Sequence, residues 1–305
     1  MALVHAFRGR ASLLLGSAVG AAFGGYAVYS MFNVSRASSG PALSPEEWRS
    51  FKLVHREQLT HTANPVWLFR FGLDDPEASI GLHVASCLLT RAPATKSDGT
   101  ATWAIRPYTP ITSVNQRGYF DLAIKVYKVP TAGKVSSYIH DLKVGDSMDF
   151  KGPLSKLPIE DIAKRKEVGL VAGGSGLTPM LQVAEEVIRQ KLPVKLKMIF
   201  ANVSEDDIII KDHLDALAAN NDNLEIHYLV DKAKSADWNG GVGYITKEVV
   251  EKHLPAPQPE NLILVCGPPG MMNALSGDKL PDKSQGPITG LLKDMGYDSD
   301  TVYKF

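Results

Sequence analysis

Four short runs carry residue types suited to holding a phosphorylated, flat-ringed ligand. The first is Arg106-Pro107-Tyr108-Thr109-Pro110. An arginine fork grips phosphate oxygens, a tyrosine offers a flat face, and a threonine hydroxyl bonds phosphate or a polar ring edge. In an extended chain residues 106 and 108 point to the same side, so one ligand can meet both. By itself the pentapeptide is equally a proline-bounded strand end. The second run is Gly133-Lys134-Val135-Ser136, followed by Ser137-Tyr138-Ile139. A permissive glycine here precedes a short predicted helix, whose N-terminal N–H groups can cradle an anion such as a pyrophosphate or can simply be capped.

The third run, Gly173-Gly174-Ser175-Gly176-Leu177-Thr178-Pro179, follows the apolar stretch Val168–Ala172 and precedes a helical pattern over Pro179–Gln190. Glycines let backbone approach a ligand closely. Thr178 suits an N-cap and Pro179 a first helical position. A strand, a glycine loop and a helix in this order favour a dinucleotide, although the spacing is not the G-x-G-x-x-G fingerprint with its later acid. The fourth run, Cys266-Gly267-Pro268-Pro269-Gly270, closes the last apolar stretch, Leu262–Cys266. Ligands of open α/β sheets lie beyond the carboxyl ends of strands, where this loop must fall. Taken alone, Cys266 is as readily a buried core thiol. Asp231 ends the stretch Leu224–Val230 on the same rim. A carboxylate there accepts ribose hydroxyls and repels a 2′-phosphate, favouring NADH over NADPH; alone it is also an ordinary turn acid, and Lys232 stands beside it. Phe305 follows Tyr303 and Lys304; terminal residues tend to fray, but an aromatic ending can cover a flat ring.

The elements that position these runs change character along the chain. With 305 residues and 44% hydrophobic content there is material for two cores. From 46 to 157 short strand-like runs such as Val66–Phe71, Tyr119–Val129 and Ser147–Phe150 alternate with turn residues, which predicts a small antiparallel barrel. Residues 158–166 read as a hinge. From 167 to 305 strands alternate with helices, with Val194–Phe200 a further strand and Lys211–Ala219 and Lys247–His253 predicted helices, so a parallel sheet covered by helices is expected. Residues 37–45, rich in Ser, Gly and Pro, read as a linker.

Residues 1–36 stand apart. No charged residue falls between Arg10 and Arg36, a length sufficient for a spanning helix, and Gly16, Gly20 and Gly24 would form one smooth helix face. No acid precedes Glu46, whereas Arg8, Arg10 and Arg36 do, which resembles a mitochondrial targeting region as much as an anchor. An N-terminal transmembrane helix is therefore part of the expected fold. Thirty-three basic and 33 acidic residues, without a basic run, argue against a nucleic-acid partner. Two cysteines, Cys87 and Cys266, in no ligand-like spacing, argue against zinc or an iron–sulfur cluster.

Taken together and in order, R-P-Y-T-P at 106–110, D-L-A-I-K-V-Y at 121–127, G-K-V-S at 133–136, G-G-S-G-L-T-P-M at 173–180, C-G-P-P-G at 266–270 and the aromatic end resemble the NADH–cytochrome b5 reductase family, in the ferredoxin reductase superfamily. The anchor-like start and closing Lys-Phe resemble its fungal mitochondrial branch. The resemblance implies an FAD-binding barrel followed by an NAD-binding α/β domain, with FAD and NADH as cofactors and no metal. It implies that Arg106, Pro107, Tyr108 and Thr109 hold the flavin and its phosphates. Lys125 and Tyr127 would line the same cleft, and Gly133, Lys134, Val135 and Ser136 would hold the pyrophosphate. Gly173, Gly174, Ser175 and Gly176 would face NADH, with Ser175 where relatives often carry threonine. Thr178 would sit by the flavin ring, Cys266, Gly267, Pro268 and Pro269 would border the nicotinamide, and Phe305 would shield the isoalloxazine. Thr178 and Cys266 are thus the residues expected nearest the reaction, and Asp231 matches the family's NADH-selecting acid. Hydride transfer from NADH to flavin N5, then single-electron steps to a cytochrome b5-type haem protein, is the implied activity. A quinone or an oxygenase is the alternative acceptor, and a non-redox, membrane-tethered nucleotide-binding protein the alternative class. The implied location is the mitochondrial outer membrane, with the endoplasmic reticulum membrane second. The polar run Ser276–Gly286 receives no role.

Overall fold

The computed structural model describes residues 40–127 and 134–305. Its first half is built from six antiparallel strands, β1 (Arg49–Gln58), β2 (Val66–Gly72), β3 (Ser86–Thr95), β4 (Ala101–Tyr108), β5 (Tyr119–Lys125) and β6 (Ser147–Ser155), in the order β4-β3-β6-β1-β2-β5. Alternation along each strand sends one set of side chains inward. Phe120 of β5 and Phe150 of β6 lie three strand steps apart, yet their rings approach to 5.1 Å, and Phe71 reaches Phe150 at 4.7 Å. The sheet is therefore rolled around a phenylalanine core. Just beyond β4, the Ile111 N–H donates to the Asp121 carbonyl of β5 at 2.9 Å and joins the two edges. This is the expected barrel. Helix α1 (Lys134–Asp141) packs Val135 and Ile139 into the same core. Residues 40–45, read as linker, lie against the barrel: Leu43 is buried and its N–H bonds the Ile80 carbonyl.

The second half is a six-stranded parallel sheet in the order β10-β9-β8-β7-β11-β12. Its strands are β7 (Glu167–Gly173), β8 (Lys195–Asn202), β9 (Leu224–Val230), β10 (Gly241–Val242), β11 (Asn261–Cys266) and β12 (Val302–Lys304). Five helices accompany them: α3 (Leu177–Arg189), α4 (Lys211–Ala219), α5 (Lys247–His253), α6 (Pro269–Leu275) and α7 (Gly290–Asp294). Between the halves, α2 (Ile159–Ala163) occupies the stretch read as a hinge and buries Ile162 completely. One hydrophobic cluster runs through both halves, joining Val66, Val84, Ala85 and Ala123 of the barrel to the core around Leu170, Met180 and Leu264.

Two expectations are corrected. No helix among the described residues is long and apolar enough to cross a membrane. The stretch from Arg10 to Arg36 that suggested one lies outside the described residues, so a transmembrane helix, and the membrane partnership resting on it, is not supported. Second, Thr178 is not the N-cap of α3. A single 3-10 turn over Gly174–Gly176 runs straight into a helix that begins at Leu177, so Pro179 is its third residue, and the Thr178 hydroxyl donates to the Ser175 carbonyl instead. The glycines allow the chain to turn into the helix earlier than a side-chain cap would.

Candidate active site

In the parallel sheet the chain runs outward from β7 in both directions, so the gap beyond the carboxyl ends of β7 and β11 is the topological switch point. Both glycine loops meet there. A Cβ added at Gly173 would come within 2.7 Å of Met271 Sδ and 2.8 Å of Pro268 Cδ, and one at Gly176 would collide with the Cys266 carbonyl. Gly174, by contrast, has φ of +53°, and among the described residues nothing stands where a Cβ would be, either there or at Gly270 across the gap. The two loops thus pack on each other through two glycines and leave backbone bare at two others.

Along this rim the strand order sets the residue order: Asp231 after β9, Asn202 ending β8, Gly173 ending β7, Cys266 ending β11 and Phe305 after β12. Three strand spacings separate Asp231 from Cys266, about 14 Å. Asp231 is exposed, and its backbone N–H bonds the Asn202 carbonyl at 3.0 Å. Asn202 is only 6% exposed, yet among the described residues neither atom of its carboxamide has a hydrogen-bond partner. Thr178 is 6% exposed behind the loop. Burial pushes the Cys266 thiol up to about 11, against the weaker pull of Lys279, so it stays protonated at neutral pH and serves as a small neutral surface. Phe305 is half-buried, its N–H bonds the Val265 carbonyl at 3.0 Å, and its ring meets Tyr303 at 5.2 Å.

The barrel supplies the facing wall. Tyr108 is largely enclosed, and burial pushes its phenol up to about 12 despite the neighbouring Arg106 charge. Arg106 is exposed; its guanidinium bonds the Ile105 carbonyl at 2.8 Å and, among the described residues, forms no ion pair. Pro107 is exposed and Thr109 half-buried beside them. Tyr127 lies past the end of β5; its N–H donates to the Ser136 hydroxyl at 3.4 Å and its carbonyl accepts from Ser137. Lys134 is exposed and Ser136 buried, whereas the Val135 side chain belongs to the barrel core, leaving only its backbone for a ligand. Gly133 lies outside the described residues. Lys125 reaches across to Asp207, just past β8, at 3.8 Å.

One residue that joins the walls was not singled out from the sequence. Gln182 on α3 accepts the Ser86 N–H of β3 and donates to the Pro110 carbonyl, both at 3.2 Å. It therefore ties the helix that follows the glycine loop to the end of Arg106–Pro110. The available signal was a polar residue at a core-facing position of an amphipathic helix.

This sequence matches the family model for an oxidoreductase FAD-binding domain over residues 50–159 and that for an oxidoreductase NAD-binding domain over residues 170–277. It is 45% identical over 300 residues to an NADH-cytochrome b5 reductase-like protein of Arabidopsis thaliana, covering 94% of this chain and 89% of that protein. It is 42% identical to the NADH-cytochrome b5 reductase 2 of Coccidioides immitis, covering 85% and 77%. The chain belongs to the NADH–cytochrome b5 reductase family. Among solved structures, the cytochrome b5 reductase domain of Ulva prolifera nitrate reductase superposes with a TM-score of 0.70 at 28% identity, over 88% of this chain and all of that domain. The reductase is an FAD-dependent oxidoreductase with FAD and NADH as its cofactors. Its residues fit both groups: the bare backbone at Gly174 and the unpartnered, buried Asn202 carboxamide suit a nucleotide on the rim. Arg106, with donors not taken by an acid, and the neutral Tyr108 phenol suit the phosphates and ring of a flavin.

Proposed function

We propose that this reductase passes electrons from NADH through bound FAD to a cytochrome b5-type haem protein. The observation that carries the reading is the rim order Asp231, Asn202, Gly173, Cys266, Phe305, which offers a dinucleotide a ribose-selecting acid at one end and the small neutral Cys266 thiol toward the other. The names of the Arabidopsis and Coccidioides relatives support the acceptor. Bound FAD supplies acceptance of a hydride and release of electrons one at a time; the protein supplies binding, alignment and water exclusion.

In this reading residues 46–157 hold FAD and 167–305 hold NADH. Arg106 bonds the flavin's phosphates, Tyr108 and Tyr127 flank it, and the start of α1 faces the pyrophosphate with Lys134 and the backbone of Val135 and Ser136. Gly174 and Ser175 admit the NADH pyrophosphate to bare backbone. Thr178 and Cys266 would line the floor of the site that receives the nicotinamide and the flavin, and Phe305 would cover it. No side chain has to shuttle a proton, which accords with the protonated Cys266 thiol. Asp231 excludes a 2′-phosphate, so Asp231→Ser narrows the preference for NADH over NADPH by about tenfold, the worth of one lost repulsion near 1.4 kcal/mol. The acid-poor start with Arg8, Arg10 and Arg36 supports delivery to mitochondria. Cell fractionation with the full chain tests this, and recovery with endoplasmic reticulum membranes refutes it.

The deciding experiment is an anaerobic visible spectrum of the purified protein, titrated with NADH and separately NADPH. Prompt bleaching by NADH, reversed by oxidised cytochrome b5, is the expected result. Bleaching that the cytochrome fails to reverse refutes the acceptor and points to a quinone or an oxygenase.

A further inference from the structure

β12 is an edge strand of three residues, and an edge leaves its outer N–H and C=O groups without a strand neighbour. At Lys304 both groups are nevertheless satisfied. The Lys304 N–H donates to Gln285 Oε1 at 2.7 Å, and the Lys304 carbonyl accepts from Gln285 Nε2 at 2.9 Å and from Lys279 Nζ at 3.0 Å. One carboxamide does here what a neighbouring backbone does elsewhere in the sheet. The Lys304 side chain is fully buried, and its ammonium donates to the carbonyls of Asp278 and Pro287, each at 3.0 Å. The loop is shaped to deliver these partners. Leu280 N–H bonds the Ser284 carbonyl, Asp282 accepts both the N–H and hydroxyl of Ser284, and Gly286 follows at φ +65°. Phe305 is the very next residue after this clamp.

We propose that Gln285, assisted by Lys279, is a positioning residue that holds Phe305 in place beside the Cys266 loop. The run Ser276–Gly286, silent in the sequence, thereby acquires a task. The inference rests on the reading that Phe305 covers the flavin. Three residues paired on one side only would fray readily, and the ring can cover a cofactor only while its backbone is fixed.

The test is Gln285→Leu, which keeps the volume and removes both bonds, with Lys279→Met as the milder second variant. Amide exchange at Lys304 and Phe305, read by NMR on the FAD-loaded protein, accelerates about thirtyfold in the first and about fivefold in the second, since each bond contributes about 1 kcal/mol. Exchange at Ile263, whose N–H bonds Thr301, stays as in the parent and shows that the sheet is intact. Fluorescence of bound FAD in Gln285→Leu shifts in the same direction as in Phe305→Gly. Unchanged exchange in both variants overturns the clamp. Faster exchange together with unaltered FAD fluorescence in Phe305→Gly supports the clamp and refutes instead the covering role of Phe305.

Discussion

Replacing Gln182 with leucine should uncouple the two walls of the site. Gln182 is 4% exposed and makes two hydrogen bonds to barrel backbone, to the Ser86 N–H and the Pro110 carbonyl. Leucine fills nearly the same space but leaves both backbone groups buried without partners. Each such group costs about 1–3 kcal/mol, so the pair costs about 2–6 kcal/mol. Packing of the apolar replacement and local relaxation together return about 1–2 kcal/mol, so the expected loss is about 1–4 kcal/mol. The assay is denaturant unfolding of FAD-loaded protein at fixed cofactor concentration, because bound ligand adds to apparent stability. Tryptophan emission reports the fold and flavin absorbance reports release. Pro110 directly follows Arg106–Thr109, so flavin release should move to lower denaturant along with the fold. A loss below about 0.5 kcal/mol, with flavin release unmoved, would refute the idea that this side chain couples the walls.

Other perturbations separate packing from binding. Gly176→Ala forces a Cβ into the Cys266 carbonyl and should prevent stable folding, whereas Gly174→Ala has room and costs only about 1–2 kcal/mol of left-handed strain, yet obstructs the bare backbone and weakens NADH binding; thermal melting and nucleotide titration read the two effects. Asn202→Leu removes an orphaned buried carboxamide, so by melting temperature the unliganded protein should be no less stable, while its NADH affinity falls about tenfold. The Cys266 thiol should resist iodoacetamide near pH 8 and react as pH approaches about 11, checked by mass spectrometry across a pH series. Because its folded pKa lies above the ordinary 9.0, the unfolded thiol ionises first, and its contribution to stability is lost as pH rises from about 9 to about 11.

The α/β half was legible because its strands are continuous apolar runs and its helices periodic ones: Leu224–Val230, Lys211–Ala219 and Lys247–His253 end where the structure ends them. The barrel was less so. Arg49–Gln58 turns only Phe51 and Leu53 fully inward and reads as polar, while Ala101–Tyr108 exposes Trp103 and Ile105, an apolar pattern facing the wrong way for a simple alternation rule. β12 has three residues, too few for any period. The rim itself was visible, since Gly173–Gly176 and Cys266–Gly270 punctuate strand ends. Gln182, Asn202 and Gln285 were not, because what they do depends on backbone groups brought near only by folding; Gln182 is 96 residues from Ser86 and 72 from Pro110.

The hydrophobic cluster that Val66, Val84, Ala85 and Ala123 share with the parallel-sheet core bears on how such an enzyme can change over time. Halves that bury side chains in one common interior are poor candidates for shuffling: a foreign nucleotide domain spliced in at 158–166 would meet the barrel with mismatched volumes, and filled cores tolerate such mismatch badly. New preferences are therefore reachable by point changes on the rim and the outer surface, where a residue such as Asp231 stands in solvent. Exchange of whole halves succeeds only when both sides of the seam travel together. Laboratory recombination libraries that place crossovers in loops outside the seam should accordingly yield more folded chimeras than those that cut between the two sheets.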